Sequence, residues 1–150
     1  MVTVDIENPR QPGVPALLAE GDRFALALYP VENCHGLDID SLERPNVVLY
    51  VAREDGVAIG TAALQDRGDG SAELKRMFVT GAARGRGIGR ALLDAIEAHA
   101  RRVGISLIQL ETGLPQVDAI GLYERSGYEQ IPRFGAYTND STSYCMEKAI

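Results

Sequence analysis

The chain has 150 residues, 45% apolar and 24% charged, the balance of an ordinary globular domain. A chain of this length buries roughly 68–70% of its unfolded surface and needs no staple: Cys34 and Cys145 form no disulfide framework, and His35 and His99 lie too far apart for zinc spacing. The net charge of -6 argues against bulk nucleic-acid binding. No apolar run approaches the ~18 residues of a membrane span. The start, MVTVDIENPR, lacks the features of a secretory signal. The expected compartment is the cytoplasm, with neither membrane nor nucleic acid as partner.

Val2–Ile6 alternates as a short strand does. Pro9, Pro12, Gly13 and Pro15 punctuate a turn, and Ala16–Leu28 carries a helical pattern that Pro30 ends. Residues 31–45 read as irregular, with a short helix near Leu37–Leu42. Val47–Arg53, the turn Glu54-Asp55-Gly56 and Val57–Leu64 form a hairpin, and Ala72–Val79 extends it to a three-stranded meander. After the loop at 80–86, Ile88, Ala91, Leu92, Ala95, Ile96, His99 and Val103 recur at helical spacing, and Gly104 stops the helix. His99, on that face, reads as structural. Leu107–Glu111 reads as a buried strand, Val117–Arg125 as a helix stopped at Gly127, Tyr128–Ile131 as strand and Ser143–Lys148 as the last strand, holding Cys145 in or near the core. This order makes one α/β domain over residues 1–150, with a mixed sheet flanked by helices.

Chemistry concentrates in Arg84-Gly85-Arg86-Gly87-Ile88-Gly89, between a strand and the strongest helix. The first N–H groups of a helix lack intrahelical partners and carry the positive end of its dipole. Glycines let a ligand approach the backbone. Such a helix start suits an oxyanion or pyrophosphate, with Arg84, Arg86 and Arg90 adding charge; a tight turn with no ligand is the other reading. Arg90 stands where a dinucleotide fingerprint needs its third glycine, and the P-loop pattern is absent. Arg101 and Arg102 read as a solvated helix face.

The pattern Arg84-x-x-Gly87-x-Gly89 after Glu73–Val79, with Gln116-Val117-Asp118-Ala119-Ile120-Gly121-Leu122-Tyr123-Glu124-Arg125-Ser126-Gly127-Tyr128 downstream, resembles the two signatures of the GCN5-related N-acetyltransferase (GNAT) family. The likeness covers residues 47–148 well and the first 45 only by helix order. It implies a mostly antiparallel sheet with a V-shaped splay between two parallel strands, those of 72–79 and 107–111. It implies acetyl-CoA as acyl donor, no metal, and a transferase acting on a primary amine of a small molecule, peptide or protein. By that resemblance Arg84, Gly85, Arg86, Gly87, Ile88, Gly89 and Arg90 hold the pyrophosphate. The backbone of Met77, Phe78 and Val79 pairs with the pantetheine arm, and an N–H near Phe78 or Val79 serves the oxyanion. Gln116 stands where the family often has Asn and touches the same arm with a longer reach.

Tyr123 matches the family tyrosine beside the CoA sulfur and is the expected acid for the leaving thiolate; a core aromatic is its structural alternative. Glu73 matches the glutamate base of the histone-acetylating branch, Glu111 ends the neighbouring strand, and a water-relayed base stands beside both. The acceptor side draws on Tyr29, Glu32, His35, Asp38, Asp40, Phe134, Tyr137 and Asp140. Phe134 and Tyr137 either wall a pocket or pin a surface loop. A homodimer through sheet edges is the expected oligomer. Two other functions stay open: a CoA-sensing or interaction module of the same fold without turnover, and a binder of another phosphate ligand such as a nucleotide.

Overall fold

The computed structural model describes residues 1–29 and 37–150. Seven strands, β1 (Val2–Ile6), β2 (Val47–Glu54), β3 (Val57–Asp66), β4 (Ser71–Val79), β5 (Leu107–Gly113), β6 (Glu129–Ile131) and β7 (Ser143–Ala149), share one sheet in the order β1-β2-β3-β4-β5-β7-β6. Every neighbouring pair is antiparallel except β4 and β5, which are parallel. Among the described residues four α-helices join them: α1 (Val14–Leu28), α2 (Ile39–Leu42), α3 (Ile88–Arg102) and α4 (Val117–Arg125). No helix among the described residues is long and apolar enough to cross a membrane.

Alternation along the strands sorts the core into two layers. Tyr50, Ala52, Ala62, Leu64, Leu74, Ile108 and Leu110 face α3 and its Leu92, Leu93 and Ile96. Leu49, Val51 and Ala63 face the other way, onto Val14 and Leu18 of α1 and Leu42 of α2. The helix α1 starts two residues earlier than expected because Pro15 occupies its first turn, where a missing N–H costs nothing. Pro30, Glu32, Cys34 and His35 lie outside the described residues.

The buried face of α3 differs from the expected stripe. Ile88, Leu92 and Ile96 lie on it, but Leu93, Glu97 and Ala100 complete it, while Val103 is 52% exposed. Glu97 is buried because it is paired: Tyr128 Oη donates to it at 3.2 Å and Lys148 Nζ at 2.8 Å. Sequence hydrophobicity cannot foresee a carboxylate made tolerable by partners 31 and 51 residues away. His99 stacks edge-on against Tyr50 with ring centroids 6.0 Å apart, in keeping with a structural role. Cys145 is 1% exposed.

Two irregularities shape the middle of the sheet. The β4–β5 ladder runs from Ser71 opposite Leu107 to Leu74 opposite Leu110 and stops, although β4 continues to Val79 and β5 to Gly113. The two parallel strands therefore part into a fork. Just past that point β4 carries a bulge: Ala63 opposes Lys75 and Thr61 opposes Phe78, which leaves one extra residue on β4. Arg76, within the bulge, has φ +54°, a costly conformation for a side-chain-bearing residue. Its carbonyl accepts a 2.7 Å hydrogen bond from the hydroxyl of Thr61, itself 1% exposed. That bond offsets part of the strain and fixes the bulge.

Candidate active site

The loop after β4 makes one 3-10 turn at Gly81–Ala83 and delivers the chain to α3. Gly87 caps α3 at φ +79°, and Gly85 has φ +76°; a Cβ at either would meet no atom within 4 Å. Both glycines thus serve backbone conformation and leave open space in front of the helix. The first helical bond runs from Ala91 N–H to Gly87 carbonyl, so the N–H groups of Ile88, Gly89 and Arg90 precede it and emerge at the helix mouth. Gly89 answers a different need: a Cβ there would lie 2.9 Å from Leu122 Cδ2, so its bareness lets α4 pack on α3. Open space, orphan donors and a positive dipole end fit a pyrophosphate at this mouth.

The arginines around it have distinct partners. Arg86 makes a bidentate pair with Glu54, one contact being 3.0 Å, which holds the Glu54 carboxyl below and the Arg86 guanidinium above their usual ranges. Arg90 pairs with Asp94 at 3.1 Å, one turn on. Arg84 donates from Nε to the Val79 carbonyl at 2.9 Å. Its guanidinium lies 4.8 Å from the Phe24 ring centroid and 5.5 Å from that of Phe78.

At the fork, Met77 and Val79 pack toward α3, whereas Phe78 turns to α1 and meets Phe24 with centroids 5.9 Å apart. The α4 helix presents Tyr123, 4% exposed. The Tyr123 hydroxyl makes no hydrogen bond among the described residues, and burial, followed by the charge of Glu111, raises its pKa above the ordinary phenol value. A phenol so placed stays protonated at neutral pH and can donate.

The two candidate carboxylates lie on the sheet face opposite α3 and differ in their surroundings. Glu73 is 8% exposed and both its oxygens are engaged. Tyr137 Oη donates to Oε2 at 2.5 Å, Lys75 Nζ lies 3.2 Å from the same oxygen, and Arg67 Nη2 lies 3.4 Å from Oε1. Lys75 also donates to Tyr137 Oη at 2.5 Å. Burial and the charge of Glu73 hold the Tyr137 phenol above its ordinary value. Glu111 is the first β5 residue beyond the last β4 pair; its Oε2 accepts from Ser143 Oγ at 2.7 Å.

Gln116 meets a partner from far back in the chain. Its Nε2 donates to Tyr29 Oη at 2.9 Å, and that hydroxyl sits against Gly113, where a Cβ would collide with it. The end of α1 thereby touches both the tip of β5 and the start of α4. The remaining acceptor-side candidates divide. Asp38 and Asp40 line a cleft of about 370 Å³ between α1, α2 and Arg76, with Asp40 paired to Arg10 at 2.7 Å. Phe134 and Tyr137 pack edge to face at 5.3 Å over Arg67 and Lys75, which pins their loop to the sheet. Asp140 braces the same loop through Thr142. A second cleft, about 450 Å³, opens beyond β5 along Leu114, Arg133 and Tyr144. Lys75 and Arg67 were the residues missed. The i, i+2 spacing of Glu73 and Lys75 on one strand face was the available signal for the first.

The acetyltransferase (GNAT) family model matches residues 18–128. An "IAA acetyltransferase" of Azospirillum brasilense is 43% identical over 150 residues, covering 99% of this chain and 98% of that protein. A crystal structure from Klebsiella pneumoniae, provisionally assigned as an acyl-CoA N-acyltransferase, superposes with TM-score 0.87 at 33% identity, covering 99% of this chain and 97% of that one. A GNAT acetyltransferase of Elizabethkingia anophelis with acetyl-CoA bound shares the fold at TM-score 0.73 and 17% identity, over 99% and 98% of the two chains. With a family model matched over most of its length and its forked sheet feeding a glycine-capped helix, the chain belongs to the GNAT acetyltransferase family.

Proposed function

We propose that the protein transfers the acetyl group of acetyl-CoA to a primary amine of a small molecule or peptide. The observation that supports this most is the open, glycine-capped mouth of α3 standing beside the unpaired fork of β4 and β5. In this reading the N–H groups of Ile88, Gly89 and Arg90 hold the pyrophosphate, with Gly85 and Gly87 shaping the approach and Arg84 and Arg86 bordering it. The unpaired edge of Met77, Phe78 and Val79 offers backbone donors and acceptors to the pantetheine arm, as a sheet edge does to a peptide. Gln116, steadied by its hydrogen bond to Tyr29, borders the same arm.

The acceptor must lose a proton before it attacks the thioester carbonyl. Glu73 and Glu111 are the candidate bases beside a water-relayed one, and position at the fork favours Glu111. Glu73 has three donors on its two oxygens and serves better as a fixed negative pole beneath the fork. Glu111 stands at the opening itself. Tyr123 gives its proton to the departing thiolate as the N–C bond forms and the C–S bond breaks. The phenol oxygen has no competing acceptor among the described residues.

The test is release of free thiol from acetyl-CoA in the presence of an amine panel, with the acetylated product identified by mass. Turnover with at least one primary amine is the expected result. Tight acetyl-CoA binding with no turnover across the panel would favour a sensing module instead. Competition by NAD or ATP at equal affinity would point to another phosphate ligand.

A further inference from the structure

We propose that Phe24, on α1, is a positioning residue for the coenzyme cradle: with Phe78 it grips the Arg84 guanidinium and so fixes the loop that opens α3. This rests on reading the α3 mouth as the coenzyme site.

Phe24 is 37% exposed, so filling the core does not explain it. Its ring lies 4.8 Å from Arg84 Cζ, and the Phe78 ring lies 5.5 Å from the same atom. The two rings are inclined at 53°, which leaves both faces turned toward one cation. Gly21, one turn earlier on α1, makes the fit possible: a Cβ there would already sit 3.4 Å from the Phe78 ring. The helix therefore registers on β4 through bare backbone at Gly21 and through a ring at Phe24.

Arg84 is the first residue of the glycine-rich motif and is exposed. Its Nε is bound to the carbonyl that ends β4, so the side chain folds back over the root of the loop. The loop beyond it holds Gly85 and Gly87 at positive φ, and such residues lose the most conformational freedom on ordering. A cation held between two rings is attracted by both, and ordering the loop in advance lowers the cost that binding would otherwise bear. The helix that bears Phe24 belongs to the layer opposite α3. The clamp therefore ties the acceptor-side layer to the coenzyme side.

The experiment measures acetyl-CoA affinity by calorimetry for the wild-type protein and for Phe24→Leu, Phe24→Tyr, Arg84→Gln and the Phe24→Leu/Arg84→Gln pair. Leucine keeps an apolar side chain but removes the π face, whereas tyrosine keeps the ring. Phe24→Leu is expected to weaken binding about two- to five-fold, and Phe24→Tyr to leave it at the wild-type value. Adding Phe24→Leu to Arg84→Gln is expected to produce no further loss. Wild-type affinity in Phe24→Leu, equal losses in the leucine and tyrosine variants, or fully additive losses in the pair would each overturn the proposal. A wild-type protein that fails to bind acetyl-CoA would overturn the assignment of the cradle instead.

Discussion

Gly87 separates folding from ligand binding more cleanly than any other position in the loop. It caps α3 at φ +79°, and a side chain there would touch nothing within 4 Å. Gly87→Ala and Gly87→Glu thus carry the same backbone strain, about 1–2 kcal/mol, and no clash. Each 1 kcal/mol corresponds to about 2–4 °C in melting temperature for a chain of this size, so both variants should melt a few degrees lower, by similar amounts. Their ligand binding should diverge. A carboxylate ~4 Å from one phosphate charge costs about 4 kcal/mol at an effective dielectric of 20. Screening at an exposed loop leaves about 2–3 kcal/mol of that, or roughly 30- to 150-fold in affinity. Calorimetric titration with acetyl-CoA, paired with thermal melts, provides both numbers. Equal affinity in the two variants would show that no phosphate sits in front of this helix.

Four other outcomes follow from the geometry. Tyr123→Phe should lower kcat by about 100-fold or more with acetyl-CoA affinity and melting temperature nearly unchanged, because the hydroxyl has no hydrogen-bond partner among the described residues to lose; equal losses in kcat and affinity would make Tyr123 a packing residue. Glu111→Gln should lower kcat/KM more than Glu73→Gln, and the reverse order would return the base role to Glu73. Glu97→Ala should cost about 3 kcal/mol in chemical denaturation, since it leaves the buried Tyr128 hydroxyl and the Lys148 ammonium without their acceptor; a loss below 1 kcal/mol would deny that pairing. Burial and neighbouring Arg102 hold His99 below its ordinary pKa of 6.5, so the unfolded chain takes up that proton first. Stability should fall as the pH drops below about 6.5, and His99→Phe should flatten this slope; an unchanged slope would remove His99 from the linkage.

What could be read from sequence was whatever local periodicity encodes. The strands, the four helices and the glycine-capped start of α3 follow from alternation, helical spacing and turn chemistry. The two signature blocks carried the family assignment. What could not be read was set by pairing across the chain. Val103 fits the helical stripe by hydrophobicity, yet the buried face is rotated toward Glu97 because Tyr128, just before β6, and Lys148, on β7, arrive from far along the chain. The bulge at Arg76 depends on how β3 and β4 are registered, which no local pattern specifies. The hydrogen bond from Gln116 to Tyr29, 87 residues away, is likewise announced by no local pattern. Phe134 and Tyr137 resolve toward a pinned loop because Arg67 and Lys75 supply cations beneath both rings.

The central claim is that the amide hydrogens opening α3 bind the diphosphate of CoA and direct its sulfur into the β4–β5 fork. A crystal structure with CoA soaked in tests it most directly. Density for the diphosphate within hydrogen-bond distance of the Ile88, Gly89 and Arg90 nitrogens, with the thiol beside the Tyr123 hydroxyl, is the predicted result. CoA bound on another face, or a thiol emerging away from the fork, would contradict it.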